Sequence, residues 1–210
     1  MGWKLQGFAP RFALNLERDM PEKLPEVLDF FARRQSQSAK TFTGPVPSRE
    51  ELTAILTAAL RVPDHGKLQP WRLIVLQGED FKHLAALAEA RAHERGEDPA
   101  LLDKARGQFD RGQLAVVVIS SPKEGKIPLS EQLLSAGALC MNIVNVASAA
   151  GWGANWLSGW PSHDALFRAR AFGCTEAESV AGIIHIATAP QSLPDRPRPD
   201  LAAVVQWGLA

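Results

Sequence analysis

Two stretches of the chain carry side chains whose types and spacing could do chemistry. In "ARRQSQS", Arg33 and Arg34 stand together and are followed by Gln35 and Ser36. Two guanidinium forks beside an amide and a hydroxyl can hold an anion with several acceptor oxygens, a phosphate above all. The same pair also suits an ordinary basic last turn of a helix, where positive charge complements the helix dipole. In "RVPDHGKLQPW", Arg61, Asp64, His65, Lys67 and Gln69 crowd among Pro63, Gly66 and Pro70. That is more polar equipment than a reversal of direction needs, although a solvated turn after a helix would also be polar.

Other chemistries lack support. There is no GxGxxG and no GxxxxGK[ST], so neither a dinucleotide fold nor a P-loop is indicated, and GxSxG is missing too. "GWGAN" has only two glycines and follows a helical pattern. Cys140 and Cys174 are the only thiols and have no CxxC spacing, which speaks against a disulfide scaffold or a zinc site and for a reducing, cytoplasmic setting. The 23 basic and 23 acidic residues cancel, so no nucleic-acid or membrane-surface partner is expected, and a small ligand fits better. His185 reads as a satisfied core histidine, His83 and His93 as helix-surface residues.

The elements that must position these groups alternate. Residues 1–23 read as an N-terminal extension without the pattern of a secretory signal, and no apolar run reaches the roughly 18 residues of a membrane span. "LPEVLDFFARRQS" opens a helix at Pro25 and puts Val27, Leu28 and Phe31 on one face. "SREELTAILTAALRV" starts with Ser48 and Glu51 in capping-box spacing and aligns Leu52, Ile55, Leu56, Ala59 and Leu60. A strand follows from Trp71, a core residue needing only a partner for its N–H, and ends at Gly78. Phe81, Leu84, Ala88 and Ala92 mark the next helix, "DPALLDKARGQF" a weaker one, and Leu114 to Ser120 a buried strand. "SEQLLSAGALCMNIVNVASAAG" is expected to be a helix capped by Ser130 and buried on every face. "ANWLSG" and "VAGIIHIAT" are strands with the short helix "SHDALFRARAFG" between them, "APQSLPDRPRPD" runs extended, and "LAAVVQW" adds an edge strand.

The ordered set of "ARRQSQS", "PVPSREELTAILTAALRVPDHGKLQPWRLIVL", a long apolar helix, "GANWLSG" and "GIIHIAT" before a proline-rich tail resembles the nitroreductase family of flavoproteins, its compact bacterial members most closely. The resemblance covers residues 24–210. It implies an α+β fold, a three-layer sandwich with a central mixed sheet flanked by helices, and a domain-exchanged homodimer. It also implies FMN at the interface, NAD(P)H as reductant and a small-molecule electron acceptor.

On that resemblance Arg33 and Arg34 take the FMN phosphate. Relatives usually place Ser directly after the second arginine; here Gln35 intervenes, so either Gln35 makes the contact or the loop bulges to deliver Ser36. The loop residues Arg61, Pro63, Asp64, His65, Lys67 and Gln69 serve the flavin ring, some of them in the neighbouring subunit. A reduced flavin carries negative charge near N1 and O2, where donors and cations are useful. Trp156, Leu157 and Ser158 lie along the ring, although Trp152, Trp156 and Trp160 could equally be packing residues. Arg196 and Arg198 could close on the phosphate, or do nothing specific. The implied reaction is ping-pong hydride transfer to nitroaromatic or quinone acceptors. A non-enzymatic flavin sensor, or a dehydrogenase or dehalogenase on the same scaffold, stays open.

Overall fold

The computed structural model describes residues 23–190 and 194–209. Of the expected extension only Lys23 falls among them, and residues 191–193 of the proline-rich tail lie outside. The chain divides into two units, one ending at Arg33 and the other beginning at Arg34. In the first, α1 (Pro25–Arg33) has Pro25 and Glu26 in its opening turn and Arg33 in its last. The apolar face read from the sequence is present but exposed, at Val27, Leu28 and Phe31.

The second unit holds a four-stranded sheet in the order β1 (Trp71–Gln77), β2 (Leu114–Ser120), β4 (Ser179–Ala187), β3 (Gly153–Leu157). Every neighbouring pair is antiparallel, so the sheet is not mixed as expected. The connections explain this. Two helices, α3 (Glu79–Glu94) and α4 (Pro99–Asp110), bring the chain back from β1 in the opposite sense, and α6 (Trp160–His163) with α7 (Ala165–Phe172) do the same between β3 and β4. Of the strands consecutive in the chain only β2 and β3, joined by the single helix α5 (Leu129–Ala149), run the same way, and β4 lies between them.

β2 is buried along its whole length because both faces of the sheet are covered, which is why it reads as a continuous apolar run. Its alternate residues Ala115, Val117 and Ile119 join Phe81, Leu84 and Ala88 of α3, Phe109 of α4 and Phe167 and Phe172 of α7. Leu114, Val116 and Val118 face Leu52 and Ile55 of α2 (Arg49–Ala59) and Leu139, Ile143 and Val144 of α5. The result is three layers. The Ser48–Glu51 capping box of α2 forms with both of its hydrogen bonds. Trp71 finds the partner it needed, donating its indole N–H to Ser135 Oγ at 3.2 Å.

Two expectations are corrected. α5 begins two residues earlier than expected, with Pro128 rather than Ser130 at the cap position and Ser130 inside the helix, and it is not buried all round: Leu129, Leu133 and Leu134 are exposed. By length and composition it could cross a membrane, but its later turns lie against the sheet. "LAAVVQW" does not form a strand. Asp200 accepts a hydrogen bond from the Ala202 N–H and starts the short helix α8 (Leu201–Val204), a local cap outweighing the β-branched valines.

Candidate functional site

A cavity of about 650 Å3 opens beside the end of β3. Leu157, Ser158, Gly159 and Trp160 supply one side, and α4 supplies another with Lys104, Gln108 and Arg111. Those three positions are spaced by four and three residues, which puts them on one face of the helix. Ser38, Ala39 and Lys40 contribute from the chain before α2, and His185 from β4. Asp98 fixes the start of α4 by accepting from the Leu101 N–H at 3.0 Å, with Pro99 at the first helical position. Gly159 permits close approach: a Cβ there would lie 3.0 Å from Gln108 Oε1.

The cavity is rich in groups without partners. Gln108 Nε2 and Trp160 Nε1 are buried donors that make no hydrogen bond among the described residues. Lys40, Lys104 and Arg111 form no ion pair there, with Asp103 the one acidic residue in the lining. Arg106, one position from a cavity face, is by contrast doubly paired, to Glu89 and to Asp110. His185 is almost fully buried, its ring beside Phe81 at 6.0 Å, and burial pushes its pKa down to about 4, so it is neutral at ordinary pH. Its burial fits the sequence reading, but its ring has no hydrogen-bond partner among the described residues. An uncompensated buried donor costs about 1–3 kcal/mol, so a cluster of them around a cavity marks a place built for a polar ligand.

The residues expected from the sequence separate into groups. Leu157 and Ser158 line the cavity. Trp156 points to the other face of the sheet, where its ring covers Gly182 and its N–H reaches the Ala181 carbonyl at 3.2 Å. A Cβ at position 182 would collide with the indole, so Gly182 is what lets the tryptophan lie flat. Arg33 spends its guanidinium on Asp29, at 2.6 Å. Arg34 is half-buried, with Nη1 buried and unpaired among the described residues. Among the described residues Gln35 and Ser36 show no side-chain hydrogen bond; Gln37 does the local work. Its N–H reaches Ala154 O, its carbonyl accepts from Asn155 Nδ2, and its amide donates to Pro190 O. Arg198 pairs with Asp195 at 3.5 Å.

The loop from Arg61 to Gln69 is a separate construction. Asp64 organises it, its carboxylate accepting from the N–H groups of Leu68 and Gln69 at 3.0 and 2.9 Å. Gly66, Lys67 and Gln69 all have positive φ, of 72°, 54° and 49°, and two of them are residues that seldom adopt it. α5 holds the loop down. Ser135 Oγ donates to the Pro63 carbonyl at 2.7 Å, Asn142 to that of Arg61 at 3.1 Å, and Glu131 meets His65 at 2.6 Å. The exposed side chains of Arg61, Lys67 and Gln69 stay available. The loop leads into β1, at the opposite sheet edge from β3, so it does not complete the cavity within this chain.

Comparison with known proteins decides the family. The model of the nitroreductase family matches residues 32–188, three quarters of the chain, from the paired arginines through β4. The chain belongs to the nitroreductase family. It is 36% identical over 164 residues to the Escherichia coli (strain K12) protein YdjA, provisionally named NAD(P)H nitroreductase, covering 78% of this chain and 88% of that one. A similarly named Haemophilus influenzae protein is 36% identical over 155 residues, covering 72% and 83%. Among solved structures, a nitroreductase-like protein from Bacillus cereus superposes with a TM-score of 0.71 at 22% identity, over 90% of this chain and 98% of that one. The FMN and NADPH-dependent nitroreductase NfnB of Sphigopyxis sp. strain HMH gives 0.67 at 20% identity, over 86% and 98%. These neighbours share the three-layer α+β fold with this nitroreductase-family chain.

Sequence reasoning missed Lys40, Lys104, Gln108 and Arg111. The four- and three-residue spacing on α4 was visible, but charged residues on that helix point in several directions and spacing alone does not say which face meets a cavity.

Proposed function

We propose that this oxidoreductase binds FMN in the cavity, takes a hydride from NAD(P)H and reduces nitroaromatic, quinone or similar acceptors, working in the cytoplasm as a domain-exchanged homodimer. The observation that carries the reading is the set of buried, unpaired donors, Arg34 Nη1, Gln108 Nε2 and Trp160 Nε1, in a nitroreductase-family chain. FMN brings what they lack: phosphate oxygens for a guanidinium, and ring carbonyls and nitrogens for amide and indole N–H groups. The volume lies within the usual range of about 300–1,000 Å3 for small-ligand sites.

Bound FMN would supply the two-electron chemistry, accepting hydride from the nicotinamide and passing it to the acceptor. The chain's part is binding and orientation. Arg33 and Arg34 are assigned to the phosphate, with Gln35 and Ser36 beside it, and Leu157 and Ser158 to the ring edge. The acceptor site needs no dedicated nucleophile, which fits a cavity whose histidine is neutral and buried. The loop of Arg61, Pro63, Asp64, His65, Lys67 and Gln69 is assigned to the flavin of the second subunit. In its support, the loop sits across the sheet from β3, and the leucines of α5 beside it are exposed. Trp156 is assigned to the interface side of the ring site.

The visible spectrum of freshly purified protein tests the reading at once, because oxidised flavin absorbs at about 450 nm. Steady NAD(P)H consumption with an added acceptor then separates an enzyme from a flavin sensor. Arg34→Ala should weaken FMN about ten- to a hundredfold and riboflavin, which lacks the phosphate, far less. Equal FMN affinity in Arg34→Ala and the parent would remove the phosphate assignment.

A further inference from the structure

We infer that the cavity face of α4 selects an electron acceptor bearing an anionic group, a carboxylate or its equivalent, held by Lys104 and Arg111 with Lys40 opposite. This rests on the flavin reading of the same cavity. Three cations and one acid, Asp103, line the space, and none of the three cations forms an ion pair among the described residues. The buried and half-buried arginines of the fold are matched instead: Arg72 pairs with Glu178, Arg91 with Asp164 and Arg95 with Glu97. Within α4 Arg106, which does not line the cavity, is neutralised twice.

Gly107 adds a second observation. It sits in the middle of α4, where glycine is unfavourable relative to alanine. A Cβ on it would lie 2.6 Å from Arg111 Nη2 and 3.4 Å from Cζ. The missing methyl is therefore the space in which the guanidinium lies back along the helix, on the cavity side. The apolar body of the acceptor has its own surfaces in Leu101, Leu157 and Trp160. A small aromatic ring with its charge attached directly matches that arrangement.

The test compares 4-nitrobenzoate with its neutral methyl ester, using FMN-loaded protein at saturating NADPH. In Lys104→Glu/Arg111→Glu the ratio of kcat/KM for acid over ester should fall about tenfold or more, and raising the salt should shrink the parent's ratio. Gly107→Ala keeps every charge and improves the helix, yet should lower the ratio about two- to threefold by displacing Arg111. An unchanged ratio in the double variant overturns the inference. So does a change confined to the KM for NADPH, which would assign the cations to the reductant, or a loss of FMN binding with riboflavin binding kept, which would assign them to the cofactor phosphate. If the protein holds no flavin, the flavin reading fails separately. Quenching of tryptophan fluorescence by acid and ester then still decides whether the cations select the anion.

Discussion

Two clusters of charge, which meet at Trp160, are built on opposite plans. At Asp164 every group is engaged. Its carboxylate caps α7 through the Phe167 N–H at 2.7 Å, takes the fork of Arg91 at 3.0 and 3.1 Å, and accepts from Arg95 at 3.0 Å. Glu94 joins Arg91 and Arg170 to the same node, at 3.0 and 2.8 Å. Burial alone would raise the Asp164 pKa, but the two arginines and the N–H outweigh it and hold the carboxyl far below its usual range. A few residues away the cavity has three cations to one acid, and buried donors without acceptors. Trp160 belongs to both: Arg95 lies 5.0 Å over its ring, while its N–H is left unpaired. The first cluster locks α3 to α7 and serves the fold. The second holds polar groups ready for something that is not protein, at a cost in stability.

The sharpest way to break this contrast is Asp164→Ala. It strands two arginines and uncaps α7, and should destabilise the protein by about 3 kcal/mol or more in denaturant unfolding. Lys104→Ala, a charge change of equal size in the other cluster, should stay within about 0.5 kcal/mol of the parent. Comparable losses in both would show that the cavity cations are structural.

His185 gives the next largest effect, through pH. Its folded pKa of about 4 lies below the ordinary value of 6.5, so the unfolded chain binds the extra proton first. Stability should therefore fall as pH drops from about 6.5 towards 4, by on the order of 2–3 kcal/mol. Glu178, lowered to about 2 chiefly by Arg72, gives up its contribution only between about 4.5 and 2, so the two windows are distinct. In His185→Phe the upper window should flatten in melting curves recorded from pH 7 to pH 4. A parent whose melting temperature is constant across that range would refute the burial argument.

The smallest effect is the most specific to the cavity. Gln108→Met removes a buried donor with no partner and keeps most of the volume, so the flavin-free protein should gain about 1 kcal/mol while its FMN affinity drops. Loss of stability without FMN would mean that Gln108 is satisfied within the fold.

What could be read from the sequence divides along the same line. The capping box of α2, the core stripe of α3 and the strand β2 were legible because each is specified by residues near one another and by a single period. The Arg61–Gln69 loop was legible as unusual, but the role of Asp64 as its organiser was not, since a carboxylate among cations reads as readily as a ligand. The cavity was only half visible. Leu157 and Ser158 were placed by family resemblance, whereas Lys104, Gln108 and Arg111 reach the same space through the packing of a helix some fifty residues earlier in the chain. α8 misled because two valines favour a strand only when a neighbouring edge receives them. Asp200 supplied a nearer partner.

The strand order has a kinetic consequence. No two paired strands are joined by a tight turn: α3 and α4 separate β1 from β2, α6 and α7 separate β3 from β4, and β4 reaches β2 only after α5, β3 and both short helices have been made. Each ladder must close a long loop before any of its hydrogen bonds form, which places the domain among slow folders. During synthesis α5 emerges after α2 and β2 but before β3 and β4, which complete the cover of its inner face, so a growing chain carries the most apolar of the described helices only partly covered until residue 187 has cleared the ribosome. Nascent chains halted before β4 should therefore be bound by chaperones that recognise exposed apolar segments, and chains halted well beyond it should be released.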